Sequence, residues 1–66
     1  MKKVWARWLG GTGHLLTNGK VYLFTEETEV PERYSGAVDN GFVAKGQKLY
    51  DTKQWEVLSE VEETNS

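Results

Sequence analysis

The stretch Val38-Asp39-Asn40-Gly41-Phe42-Val43 lies past the middle of this 66-residue chain and decides how its second half folds. Asn-Gly between apolar residues is the strongest short hairpin signal, because a type I′ turn needs positive φ at both central residues. We therefore predict a third strand over residues 34–39 and a fourth over residues 42–50. The expected register pairs Val38 with Val43 and Ala37 with Ala44.

Either face of this hairpin could be the core face. Tyr34, Val38 and Val43 share one face by strand alternation, and Ala37, Phe42 and Ala44 share the other. Both sets are apolar enough to be buried, so the two alternatives stay open. Gly46, inside the fourth strand, predicts a bulge that bends the sheet.

Two further strands are predicted before the hairpin, over residues 3–9 and 20–25, and one after it, over residues 55–58. In the first strand, alternation puts Val4, Ala6 and Trp8 on the core face. Trp5 and Arg7 are then expected on the exposed face. In the second strand, Tyr22 and Phe24 lie opposite Val21 and Leu23. Residues 51–54 predict a short helical turn before the last strand.

The predicted fold class is all-β, since no segment has the apolar spacing of a long helix. Five short strands cannot bury a face as a flat sheet, so we expect them to close into a small five-stranded barrel. We assign residues 1–58 to this barrel. Residues 59–66 lack the apolar content to pack and are predicted to be an acidic, flexible tail.

Size and composition narrow the class of protein further. The chain contains no cysteine, so neither a disulfide nor a thiolate metal site can support so small a core. No apolar run approaches the length of a membrane helix, and we expect a cytoplasmic protein with no membrane partner. The net charge of −2 is unevenly distributed, because residues 1–25 carry four basic residues and none of the ten acids.

The glycine-rich stretch over residues 10–20 invites a comparison with phosphate-binding loops, and the comparison fails. A Walker loop needs a glycine five residues before the Gly19-Lys20 step and a hydroxyl after it, but His14 and Val21 occupy those positions. His14 is also the only histidine, which leaves it without a partner for zinc or for a catalytic pair. We predict no catalytic residue, no metal and no cofactor.

The order of short motifs resembles that of small SH3-like barrel proteins encoded by bacteriophages and prophages, over about residues 3–58. In that family a Leu-Thr-x-Gly-Lys-x-Tyr segment leads into the second strand, and an aromatic-Glu-Val segment ends the barrel. The matching residues here are Leu16, Thr17, Gly19, Lys20, Val21 and Tyr22, then Asp39, Gly41, Trp55, Glu56 and Val57. The resemblance implies an SH3-like barrel and, for a phage protein, the host cytoplasm. It implies no particular activity, and the loops over residues 10–14 and 26–33 depart from the pattern.

The remaining candidate residues suit binding better than catalysis. Trp5 and Arg7, with Lys2 and Lys3 beside them, could anchor a protein interface. His14 and the acidic loop residues Glu26, Glu27 and Glu29 are further candidate contacts for a partner. We therefore predict a non-catalytic phage-type accessory protein that binds another protein, for example a host factor. The alternative is a nucleic-acid-binding module that uses the Lys, Arg and Trp face of the first strand.

Overall fold

The computed structural model describes residues 1–62 of the chain. Within them the chain forms five strands and no regular helix. The strands are β1 (Lys2–Trp8), β2 (Val21–Glu26), β3 (Tyr34–Ala37), β4 (Val43–Gln47) and β5 (Trp55–Glu62). A tight turn spans Asp39–Gly41, and its backbone is left-handed at Asn40 and Gly41. The predicted all-β class is confirmed, and within the described residues no helix is long and apolar enough to cross a membrane.

All five strands belong to one antiparallel sheet, in the order β4-β3-β2-β1-β5. The first four strands follow one another as a meander, and β5 returns to pair with β1 on the far side. No pairing joins the edge strands β4 and β5, so the described sheet is unclosed and the predicted closure into a barrel is not confirmed.

The core lies on one face of this sheet, which we call the inner face. Alternation along β1 and β2 works as predicted, because Val4, Ala6 and Phe24 are fully buried and Tyr22 nearly so. Trp55, at the start of β5, packs against the aromatic residues of this core. Its ring lies 4.9 Å from that of Trp8, 5.0 Å from that of Phe24 and 6.1 Å from that of Tyr22, measured between ring centroids.

The hairpin between β3 and β4 has the predicted turn but a different register. Asn40 and Gly41 have φ of 62° and 75°, as a type I′ turn requires. The strands, however, pair Ala37 with Val43 and Gly36 with Ala44, one residue away from the predicted pairing.

A hydrogen bond from outside the hairpin accounts for this difference. The N–H of Asp39 donates to the carbonyl of Leu15 at 2.9 Å and is therefore not used in the ladder. The N–H of Val38 donates to the carbonyl of Phe42 instead, also at 2.9 Å, which inserts one extra residue on the β3 side. Val38 consequently points into the core, whereas Val43 is 57% exposed, so the core side of the hairpin belongs to Tyr34 and Val38.

Other boundaries differ from the prediction as well. The expected bulge at Gly46 is present as a register shift, with φ of 69° at that glycine. Residues 51–54 form bends rather than a helical turn. Residues 59–62, predicted as the start of the acidic tail, belong to β5 and pair with β1, while the rest of that predicted tail, residues 63–66, lies outside the described residues.

Charge pairing helps to explain the longer β5. Its acidic second half lies opposite the basic start of β1, and Glu60 Oε1 is 3.1 Å from Lys2 Nζ. Opposite charges on neighbouring positions of paired strands favour this pairing.

Candidate docking surface

The face of the sheet opposite the core carries Trp5, as strand alternation predicted. Residues that pair directly across antiparallel strands project to the same side, which groups the outer residues of β1 with those of β2 and β5. We call this surface the Trp5 face. It consists of Lys3, Trp5 and Arg7 on β1, Val21, Leu23 and Thr25 on β2, and Glu56, Ser59 and Val61 on β5.

Trp5 lies at the centre of the Trp5 face, between Leu23 and Ser59, and is 41% exposed. Arg7 is two residues further along β1, and its Nη1 donates to Glu56 Oε1 at 2.8 Å. Both members of this ion pair are exposed, so it contributes little to stability. It does hold the Arg7 guanidinium on the same face as Trp5, and these two residue types are suited to protein recognition.

Lys2 does not belong to this face, although its position in the sequence predicted that it would lie beside Trp5. Alternation along β1 places Lys2 on the same side as Val4 and Ala6. Its ammonium lies over the rings of Tyr34 and Tyr50, on the inner side of the sheet.

The three acidic candidates Glu26, Glu27 and Glu29 lie together. They line an open groove of about 340 Å³, the acidic groove, which also includes Thr25 of the Trp5 face. The Trp5 face and the acidic groove are therefore continuous at Thr25. Glu27 is partly committed to structure, because its Oε2 accepts a 2.7 Å hydrogen bond from the N–H of Gly46 in the bulge.

His14 lies apart from these residues, in the exposed loop between β1 and β2. The Asn40 side chain donates to the His14 carbonyl at 2.6 Å, which ties this loop to the β3–β4 turn. Within residues 1–62 no hydrogen bond or ion pair links the His14 imidazole to a carboxylate, and no three histidine or acidic residues are grouped so as to hold a metal ion.

A hydrogen-bonded cluster, which we call the Asp39 cluster, contains four of the residues that carried the family resemblance: Thr17, Lys20, Tyr22 and Asp39. Asp39 accepts from Lys20 Nζ at 2.7 Å, from Thr17 Oγ1 at 2.9 Å and from the Tyr22 hydroxyl at 3.0 Å. The Lys20 ammonium, helped by these two hydroxyls, lowers the pKa of the Asp39 carboxyl, and the same carboxylate raises the pKa of Lys20. These donors satisfy the carboxylate, so the cluster joins loop to turn and offers no poised acid or base.

A second cavity, of about 280 Å³, opens on the inner side of the sheet, and sequence reasoning missed it. We call it the tyrosine pocket. Its walls are Lys2, Glu26, Glu32, Tyr34, Lys48, Leu49, Tyr50, Asp51 and Glu60. The one signal that could have found it is the alternation in β1, which places a lysine on the core face.

Comparisons with known protein families, with characterised proteins and with solved structures found no match.

Proposed function

We propose that this protein is a small non-catalytic binding protein whose Trp5 face docks onto another protein. The observation that carries the proposal is the 41% exposed indole of Trp5 in the middle of a sheet face. Tryptophan and arginine dominate the binding energy of protein interfaces, and here Arg7 lies on the same face and is held by Glu56. Val61, 46% exposed on β5, extends the apolar area beside them.

Charge favours a protein partner over nucleic acid for this face. The guanidinium of Arg7 is already paired with Glu56, so a phosphate would have to compete with that carboxylate. The acidic groove adjoins the face at Thr25 and would repel a phosphate backbone. A protein surface with both basic and apolar residues complements these features better.

We further propose that the fold is an open variant of the SH3-like barrel, from a phage or prophage protein that acts on a host protein in the cytoplasm. Support comes from the order of the strands, a meander of four with β5 returning to pair with β1. Four residues that carry the resemblance are also joined by hydrogen bonds, because Thr17, Lys20 and Tyr22 all donate to Asp39.

The proposal is tested by capturing partners from a bacterial lysate with three baits: the full chain, Trp5→Thr and Phe42→Thr. Threonine suits a strand, and Phe42 is a matched control because it is an aromatic residue 59% exposed outside the Trp5 face. We expect a protein retained by the full chain and by Phe42→Thr but lost with Trp5→Thr.

Two results would overturn this proposal. One is that Trp5→Thr retains the same proteins as the full chain, and the other is that no protein is enriched over an unrelated small acidic domain. A fluorescence titration with single- and double-stranded DNA at low salt tests the alternative function, nucleic-acid binding. DNA binding that weakens with added salt and is lost in Arg7→Glu would favour the nucleic-acid-binding module.

A further inference from the structure

The tyrosine pocket already holds a positively charged group against two aromatic rings. Lys2 Nζ lies 5.0 Å from the ring centroid of Tyr50 and 5.9 Å from that of Tyr34. The two rings are 5.9 Å apart and inclined at 53°, so they form two walls of a corner. A cation within about 6 Å of an aromatic face is attracted by the ring quadrupole.

Carboxylates complete this corner. Glu60 Oε1 lies 3.1 Å from Lys2 Nζ and also accepts a hydrogen bond from the Tyr50 hydroxyl. Glu26, Glu32 and Asp51 line the same cavity, so four carboxylates face two lysines. The hydrogen bond to Glu60 raises the pKa of Lys2, which keeps its ammonium charged.

The arrangement suits an organic ammonium better than a metal ion. Within residues 1–62 the acids of this cavity are not grouped closely enough to share a metal. They stand around a space of about 280 Å³, and two tyrosine rings form part of its wall. Aromatic faces with carboxylates beside them are the usual surroundings of bound ammonium groups.

We propose that the tyrosine pocket binds the ammonium of a lysine side chain on the partner protein, and that Lys2 occupies the aromatic corner in the free protein. This rests on the proposed function, because it assumes a protein partner. Glu26 lines both the tyrosine pocket and the acidic groove, and the groove meets the Trp5 face at Thr25. The acidic groove therefore borders both the Trp5 face and the tyrosine pocket, and a partner seated on that face brings its basic residues close to carboxylates that line the pocket.

The test is an NMR titration of the full chain with Nα-acetyl-lysine methylamide, which presents one ammonium and no other charge. We expect saturable shifts of the Tyr50 and Tyr34 ring signals at millimolar concentration. Nα-acetyl-norleucine methylamide, which lacks the ammonium, is expected to leave them unchanged. Equal shifts from both compounds would contradict the proposal.

Variants make the test sharper, because removing the resident cation should strengthen binding. We expect Lys2→Ala to bind the lysine compound about threefold more tightly and Tyr50→Leu to bind it about threefold more weakly. Lys45→Ala is the matched control for Lys2→Ala, since Lys45 is an exposed strand lysine outside the pocket. If Lys2→Ala binds no more tightly than Lys45→Ala, Lys2 does not occupy the site and the proposal fails.

This experiment fails or succeeds separately from the partner capture. Binding of the lysine compound with no captured protein would leave the pocket standing and overturn the proposed function. Capture of a protein that depends on Trp5, with no binding of the lysine compound, would support the proposed function and overturn the proposed lysine pocket. If Tyr50→Leu does not fold, the comparison of Lys2→Ala with Lys45→Ala decides by itself.

Discussion

The hydroxyl of Tyr22 donates to the carboxylate of Asp39 at 3.0 Å and so joins the second strand to the turn between the third and fourth. The same hydroxyl accepts a 2.8 Å hydrogen bond from the backbone N–H of Thr17. One buried side chain therefore connects the long β1–β2 loop, strand β2 and the β3–β4 turn. These contacts lie outside the sheet ladder, so the loop and the turn hold each other in place.

Tyr22→Phe should lower the free energy of unfolding by about 1 kcal/mol, because it leaves the part-buried N–H of Thr17 without its acceptor. The ring itself stays, including its edge contact with Trp55. Chemical denaturation monitored by circular dichroism measures the change. Tyr50→Phe is the control, since Tyr50 is 48% exposed and loss of its hydroxyl should change stability less. Equal stability of Tyr22→Phe and the parent chain would show that the hydroxyl bridge contributes nothing.

The stability of the fold should fall in acid partly through Asp39. Its pKa is lowered in the folded state, chiefly by the hydrogen bond from Lys20 and then by those from Thr17 and Tyr22. A group whose folded pKa lies below its unfolded value near 4 stabilises the fold above that value. That contribution is lost as the pH falls through the folded pKa.

Thermal unfolding between about pH 6 and pH 2 tests this assignment. The melting temperature of the parent chain should fall more steeply below about pH 4 than that of Asp39→Asn, which lacks the titrating group. Glu29→Gln is the control and should follow the parent curve, because Glu29 is an exposed loop residue. Parallel curves for Asp39→Asn and the parent would rule out a role for this carboxylate.

Strand alternation made the faces of β1 and β2 predictable from the sequence, whereas the hairpin register was not. Alternation depends only on neighbouring residues, and it placed Val4 and Ala6 inside and Trp5 outside. The register depends on the hydrogen bond from the Asp39 N–H to Leu15, 24 residues earlier in the chain. A turn motif cannot report a contact of that kind, so the prediction erred by one residue.

The candidate site also has one part that the sequence predicted and one part that it did not. Alternation along one strand placed Trp5 on the outer face, but the tyrosine pocket combines β1, β2, β3, β5, the β2–β3 loop and the segment after β4. Only the fold brings Lys2, Tyr34, Tyr50 and Glu60 together. Charge grouping along the sequence was misleading here, because it assigned Lys2 to the face opposite the one it occupies.

Gly36→Ala should destabilise the fold by about 1–3 kcal/mol, as expected for overpacking. A Cβ at this position would lie 2.3 Å from the carbonyl oxygen of Leu23 and 2.9 Å from the ring of Phe24, so β3 would have to move away from β2. Gly11→Ala is the matched control, since nothing lies within 4 Å of a Cβ there. Denaturant midpoints that agree between the two variants would mean that β3 can shift without penalty.

Substitutions of Trp55 and of Trp5 should differ in their effects on stability and on fluorescence quenching. Trp55→Ala is expected to lower the free energy of unfolding by about 3–5 kcal/mol, comparable with the whole stability of a domain this small. Trp55 is 6% exposed and contacts three aromatic rings, whereas Trp5 is 41% exposed. Trp5→Thr should therefore lower stability by only about 1 kcal/mol or less, the scale of a cross-strand contact.

Iodide quenching of the folded chain supplies the second readout, because iodide reaches exposed indoles and not buried ones. Trp5→Thr should lower the quenchable emission and leave the emission of the half-buried Trp8 and of Trp55, which is shielded by Trp8 and Phe24. Phe42→Thr, which exchanges another exposed aromatic residue, should leave the quenching unchanged. If the quenchable fraction were the same in Trp5→Thr as in the parent chain, Trp5 would be covered in solution. The Trp5 face could not then dock a partner through its indole.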